Sequence, residues 1–503
     1  MNHCRAGHRT GLVLRVTSFS LSQVLYQTLL VLVLAFGGCA VNPVTGGREF
    51  VLMNETQEIG MGRDADVQIR REIGLYEDDG LQRYVEEIGL TLASRSHRPE
   101  LPWSFAIVDS PAVNAFALPG GFVYLTRGIM PFLGDEADLA GVIGHEIGHV
   151  TARHTVQAYT RARGAQLGLL VGSVVSPAAR AVGGLAETGL GVLFLRYGRD
   201  AELQADRLGA EYAATSGWDP TGVRDMLSTL SRMNEGSDGR GVPSWMSTHP
   251  EAADRVERVG QTLSELRTRM DVTEFRVNRR GYLDRIEGLI YGDNSDQGIV
   301  RGRDFLHPEL RFTLRFPDGW EVLNTEKEVL ARQPGQEVFL SLQSVAGLGK
   351  RDLEALTIDD MRRDGYRLDI GGYVSVGGLD AFVGTFTGVR SNNRQLKARV
   401  AYIRYQGSVY TLVGRADVGF YDLVELEFND TIYSFRTLGV NEAREIRPNR
   451  IHLYTVQKGD TWQSIARRAA QMIVAPDMLA IMNGRLVDEE PRAGDLLKIV
   501  VGQ

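Results

Sequence analysis

Three residues in one five-residue stretch carry the plainest chemistry. His145-Glu146-Ile147-Gly148-His149 sets two imidazoles four positions apart, which on a helix places them one turn apart on one face. Neutral imidazoles so placed can share one divalent cation, and zinc accepts them at about 2.0–2.1 Å. Glu146 lies at the edge of that face, where its carboxylate can take a proton from an attacking water without filling a ligand position. The flanks Leu139-Ala140-Gly141-Val142-Ile143 and Val150 predict a largely buried helix over Asp135–His154. Three ionisable groups on such a helix are costly without a partner.

A catalytic zinc needs a third protein ligand and an open position. Cys4 and Cys39 are the two cysteines of the chain. Both precede the body of the protein, which leaves no disulfide framework or thiolate ligand there. Asp200-Ala201-Glu202-Leu203-Gln204-Ala205-Asp206 supplies a carboxylate instead. Glu202 is the expected third ligand. Asp206, one turn on, is expected to accept a hydrogen bond from a zinc-bound histidine and fix its tautomer. One Zn2+ per chain follows. His154, five residues past His149, falls off the metal face and reads as structural.

The elements that position these residues follow from periodicity. Asn54 to about His97 reads as helical, with Ile59, Val67, Ile69, Leu81, Val85, Ile88 and Leu92 as core positions. Strands are predicted at Trp103–Val108, Val113–Leu118 and Phe122–Thr126, with Leu118-Pro119-Gly120-Gly121 as a turn. Further helices are predicted over Gly198–Ser216, Pro220–Met233 and Ala252–Met270. Leu167–Leu195 is apolar and glycine-rich, but Pro177, Arg180 and Glu187 interrupt it, so it reads as buried or lid-like helices rather than a bilayer span. From Phe305 to Leu438 short alternating strands predict a separate α+β module.

The chain of 503 residues is long enough for several domains. Its net charge of −7 excludes the basic balance of a nucleic-acid binder. Arg5, Arg9 and Arg15 precede an apolar run from Val24 to Phe36 that ends at Gly37-Gly38-Cys39. This reads as a lipoprotein-type signal peptide over 1–38, with lipidation at Cys39. Ala40 at the next position favours the outer membrane. A periplasmic, membrane-anchored body behind a turn-rich tether is the expected arrangement.

Asn114-Ala115-Phe116-Ala117-Leu118-Pro119-Gly120-Gly121, His145-Glu146-Ile147-Gly148-His149-Val150, Glu202-Leu203-Gln204-Ala205-Asp206 and Thr248-His249-Pro250 with Arg255 together resemble the CAAX-prenyl-endopeptidase-type family of zinc metallopeptidases. The likeness extends to its HtpX-like and periplasmic BepA-like branches and covers about residues 50–265. It implies a gluzincin fold with His145, His149 and Glu202 on the metal and Glu146 as base. It also implies a strand at Asn114, Ala115 and Phe116 beside the metal, whose edge can pair with an extended substrate. His249 is expected either to cover the zinc as a fourth ligand or, with Arg255, to stabilise the oxyanion.

At the other end, His452–Ala466, Met482-Asn483-Gly484 and Ala493–Ile499 resemble a LysM module, a β-α-α-β fold that implies binding of peptidoglycan glycan strands. The expected architecture is α+β and multidomain. A mainly helical metallopeptidase domain with a small sheet spans 54–275 after a tether at 39–53. A linker at 276–304, the α+β module at 305–440 and the LysM module at 452–501 follow. The expected activity is hydrolysis of misfolded or stalled envelope proteins, anchored near peptidoglycan. Cleavage of peptidoglycan bridges, or a chaperone or scaffold with latent peptidase activity, are the alternatives.

Overall fold

A computed structural model describes residues 39–171, 196–235, 245, 248–249, 254–269, 274–325, 328–348, 350–389, 394–470 and 472–502. The signal peptide expected at 1–38 and residues 172–195 of the apolar segment lie outside the described residues. No helix among the described residues is long and apolar enough to cross a membrane.

Residues 39–53, expected as a tether, are instead docked. Strands β1 (Cys39–Val41) and β2 (Arg48–Phe50) form an antiparallel hairpin. The Asn42 amide oxygen accepts from the backbones of Val44 and Thr45, and its Nδ2 donates to the carbonyl of Ala152. Val51 and Met53 then pack on Val156. A buried polar side chain with all its partners supplied outweighs the turn-rich composition.

Helices α1 (Glu55–Glu72) and α2 (Asp79–Ala93) follow. Helix α1 buries Glu58, Gly62, Ala65 and Ile69. This single narrow stripe leaves Val67 62% exposed rather than in the core. A three-stranded sheet comes next, in the order β3 (Ser104–Val108), β5 (Phe122–Thr126), β4 (Ala115–Leu118). Strand β3 runs parallel to β5 and β4 antiparallel to it, so β4 forms one edge.

The catalytic-type helix is α3 (Glu136–Thr151), and every one of its residues is buried. Asp135 caps it by accepting from the amides of Ala137 and Asp138, which satisfies two of the orphan donors of its first turn. It breaks at Arg153, whose φ is +60°, and α4 (His154–Val171) departs from there. Helices α5 (Arg199–Thr215) and α6 (Thr221–Glu235) pack on α3, and α7 (Arg255–Arg269) packs in turn on α5 and α6. The contact between α3 and α5 is unusually close. A Cβ on Gly209 would stand 2.8 Å from the backbone nitrogen of His145, and one on Gly144 would stand 3.0 Å from the carbonyl oxygen of Gly209. Glycine on both helices lets the backbones meet and brings the acidic face of α5 against the two histidines.

Residues 276–304, expected as a linker, are structured. Helix α8 (Arg279–Ile286) is tied to the peptidase domain by the Tyr282 hydroxyl, which donates to the Met130 carbonyl at 2.6 Å. Strands β6 (Ile290–Tyr291) and β7 (Ile299–Arg301) follow. Strands β8 (Asp304–His307) and β9 (Phe312–Arg315) continue the chain. The α+β module then adds β10 (Glu321–Asn324), β11 (Glu328–Arg332), β12 (Phe339–Ala346), α9 (Leu353–Arg363) and strands β13 (Tyr366–Val376) to β16 (Ser408–Asp417). With β14 (Leu379–Val389) and β15 (Gln395–Tyr405), its main sheet is antiparallel, in the order β10-β11-β12-β16-β15-β14-β13. Helix α10 (Val418–Ser434) and strand β17 (Arg436–Thr437) close a core of its own around Phe312, Tyr410 and Phe428.

After a short helix α11 (Val440–Glu445), the last segment has the order β18 (Asn449–Thr455), α12 (Trp462–Ala470), α13 (Pro476–Met482), β19 (Leu496–Val501). Strand β18 lies between β19 and β6. Trp462, Ile465, Leu479 and Met482 share one apolar core with Leu139, Val142, Ile143 and Ile147 of α3. The segment is therefore packed into the peptidase domain rather than hung from it.

Candidate metal centre

The ring nitrogens His145 Nε2 and His149 Nε2 lie 3.0 Å apart. Glu202 brings Oε2 to 3.7 Å from His145 Nε2 and Oε1 to 3.5 Å from His149 Nε2. His249 Nδ1 completes the cluster at 3.3 Å from His145 Nε2. The four donors all lie within 4.8 Å of one another and all four residues are buried. Donors bound tetrahedrally at zinc–ligand distances of 2.0–2.1 Å stand about 3.3 Å apart, so this set fits one such ion.

Charge and hydrogen bonding support the fit. Glu146, Glu202 and Asp206 are three buried carboxylates facing the guanidinium of Arg255, and a divalent cation would balance the excess. Both carboxylate oxygens of Glu146 are buried with no hydrogen-bond partner. Buried polar atoms without partners are rare in folded proteins and mark a missing ion or water. Burial, joined by the repulsion of Glu202, pushes Glu146 well above the usual carboxylate range. Burial raises Glu202 to about 7 against the opposing pull of Arg255. His145, His149 and His249 are all pushed down by burial, which keeps them in the neutral form a metal requires.

Asp206 Oδ1 lies 2.9 Å from His145 Nδ1, the ring nitrogen that faces away from the cluster. Burial pushes Asp206 up, but Arg255 and His145 together outweigh it and hold the carboxyl at about 2. Arg255 donates to both Asp206 oxygens, at 2.8 and 2.7 Å, and its Nη1 stands 3.0 Å from Glu202 Oε2. That geometry differs from the expected place of Arg255 beside a substrate oxyanion. Its fork clamps the acidic residues of α5, which makes it a positioning residue.

Of the residues expected in a strand beside the metal, Ala115 and Phe116 lie in β4 at the sheet edge and Asn114 immediately precedes it. Ala115 and Phe116 pair with Leu125 and Tyr124 of β5. The Asn114 backbone exchanges hydrogen bonds with Thr126, and Asn114 Oδ1 is buried without a partner. Just ahead of it, the Val113 carbonyl accepts from the amide of Trp245 at 3.1 Å. Trp245 also stacks on His249, with ring centroids 4.1 Å apart, and the His249 amide donates back to the Trp245 carbonyl. The segment carrying His249 is thus pinned to the strand on one side and to Tyr197 on the other, where the Tyr197 amide donates to the Thr248 carbonyl.

Sequence reasoning did not single out Trp245, Tyr197 or Gln204. Trp245 stands one helical turn before His249, and that spacing was a usable signal. Tyr197 lies flat on His149 with centroids 3.9 Å apart, and nothing in its local sequence marks it. His154 reads as structural because it leaves the metal face of a continuous helix. The break at Arg153 turns it back, and His154 Nδ1 lies 3.0 Å from His149 Nδ1.

A buried H-E-x-x-H helix with a carboxylate from a second helix is the ligand arrangement of a zinc metallopeptidase. Residues 80–263 match the family model of Peptidase family M48. Over that stretch the chain is similar to metallopeptidases of that family. It is similar to the mitochondrial metalloendopeptidase OMA1 of Arabidopsis thaliana, at 29% identity over 45% of this chain and 44% of that protein. It is equally similar to the beta-barrel assembly-enhancing protease of Escherichia coli strain K12, at 29% identity over 42% of this chain and 45% of that protein. The chain thus spans less than half the length of these two curated relatives. Among solved structures, the cyanobacterial PsbP of Synechocystis sp. PCC 6803 aligns at 15% identity over 28% of this chain and 95% of that one, with a TM-score of 0.21, too low to bear on function.

Proposed function

We propose that this protein is a zinc-dependent endopeptidase of the bacterial cell envelope that cleaves unfolded or misassembled envelope proteins. The observation that carries the reading is the buried set His145, His149, Glu202 and His249, with both oxygens of Glu146 unpartnered beside it. The named activities of the two relatives, a metalloendopeptidase and a protease of beta-barrel assembly, support the substrate class.

His145, His149 and Glu202 would hold the ion, and His249 would fill the fourth position in a resting state. When bound, zinc polarises the scissile carbonyl and lowers the pKa of the attacking water. Glu146 then takes the water's proton and delivers it to the leaving amine. An extended substrate would pair with the edge of β4, using the Val113 carbonyl now taken by Trp245. Withdrawal of Trp245 and His249 together would open both the metal and the strand edge.

Cys39 would carry a lipid anchor, most consistently in the outer membrane facing the periplasm. The β-α-α-β segment would bind peptidoglycan glycan strands as a LysM module and hold the protease near the wall. The test is digestion of unfolded casein by the zinc-loaded protein beside zymography on purified peptidoglycan. Casein cleavage abolished by chelation is expected. Clearing of peptidoglycan with casein left intact would instead favour a wall hydrolase. Complementation in cells by a Glu146→Gln variant would favour a chaperone or scaffold.

A further inference from the structure

The second ring nitrogens of the two metal-facing histidines are served differently, although both are served from α5. His145 Nδ1 meets the carboxylate of Asp206 directly. His149 Nδ1 meets no carboxylate. It faces His154 Nδ1 at 3.0 Å, and His154 Nε2 in turn lies 3.0 Å from Gln204 Oε1. His149 is fully buried and His154 is 3% exposed, while Gln204 is half-buried at the outer end of the chain.

Only one arrangement of protons lets this chain support a metal. A metal on His149 Nε2 requires that nitrogen to be bare, so the ring proton sits on Nδ1 and is donated to His154 Nδ1. His154 then carries its own proton on Nε2, and that proton needs an acceptor. The side-chain oxygen of Gln204 is the acceptor. A donor at position 204 would reverse every step and leave a proton on His149 Nε2, where the metal belongs.

The left-handed turn that makes the chain possible is itself held. Arg153, at φ +60°, donates from Nε to Glu58 Oε2 and from Nη2 to the Met53 carbonyl. Arg98 donates to Glu58 and to the Val150 carbonyl in the last turn of α3. These buried ion pairs fix the α3–α4 corner and so point His154 back at His149.

We propose that His154 and Gln204 form a proton-ordering relay that holds His149 in its metal-binding tautomer, with Gln204 as the terminal acceptor. Both are positioning residues. The inference rests on His149 being a ligand as proposed above.

The test is zinc affinity of the full chain by competition with a chromophoric chelator, for four side chains at position 204. Gln204→Glu keeps an acceptor and should bind zinc at least as tightly as wild type. Gln204→Leu removes it and should bind about 10–100-fold more weakly, the usual effect of losing such an outer partner. Gln204→Lys, a donor only, should bind more weakly still. The added charge alone would rank Glu and Lys the same way, so the series is repeated with His154→Phe. There the differences between the four side chains should collapse, whereas a charge effect would persist. A flat series in the wild-type background, or a ranking unchanged by His154→Phe, would overturn the relay. Wild-type protein that binds no zinc, or His149→Ala that binds it undiminished, would overturn the ligand assignment instead. Apo-protein melting temperatures close to wild type identify the variants that report on metal rather than on folding.

Discussion

His249 Nδ1 lies 3.2 Å from Glu202 Oε1, the spacing of two donors on one ion, so the loop histidine stands where a substrate water would otherwise enter. Three ligands suffice to keep zinc. His249→Ala should therefore retain the metal and raise casein cleavage severalfold. A fall in activity with zinc retained would assign His249 to the oxyanion instead.

Glu146 lies within the same buried pocket and makes no hydrogen bond of its own. Glu146→Gln keeps the shape and removes the base. Zinc content measured by mass spectrometry should stay at one per chain while turnover falls by about 10²–10⁴-fold, the range for loss of general-base catalysis.

Arg255 bridges Asp206 and Glu202 from a position only 3% exposed. Arg255→Met would leave those carboxylates buried without their cation. Breaking a buried pair in this way costs about 3–5 kcal/mol. Chemical denaturation of the metal-free protein should show that loss, and zinc should restore part of it by replacing the missing positive charge.

Lys498 is fully buried in β19 and donates to the carbonyl of Leu133, two residues before the cap of α3. Burial pushes its amine down from 10.5 to about 7. The folded protein thus releases this proton first. Between about pH 7 and 10.5 the unfolded chain holds the extra proton, so this group makes stability rise with pH across that window. Melting temperature of wild type minus that of Lys498→Met should increase from pH 7 to pH 10. A difference independent of pH would contradict the assignment.

Much of the centre was legible in the chain because it obeys local rules. His145, Glu146 and His149 share a helical repeat, and Glu202 and Asp206 repeat that spacing on the next acidic helix. What was not legible depends on chain reversals and on distant packing. His154 reaches His149 only through the left-handed turn at Arg153, and Arg255 meets Asp206 across two helices rather than a substrate. The docking of 39–53 rests on the buried side chains of Asn42, Val51 and Met53, which turn-rich composition conceals. The order of the last four elements was what the resemblance of that segment to a LysM module implied. Their fusion with the core around Ile143 and Ile147 is a long-range contact that no periodicity encodes.

The most direct test of the whole account is anomalous diffraction at the zinc edge from crystals of the zinc-reconstituted chain. The account predicts one strong peak about 2.0–2.2 Å from His145 Nε2, His149 Nε2 and a Glu202 carboxylate oxygen. No peak there, or a peak with Glu202 turned away, would contradict it.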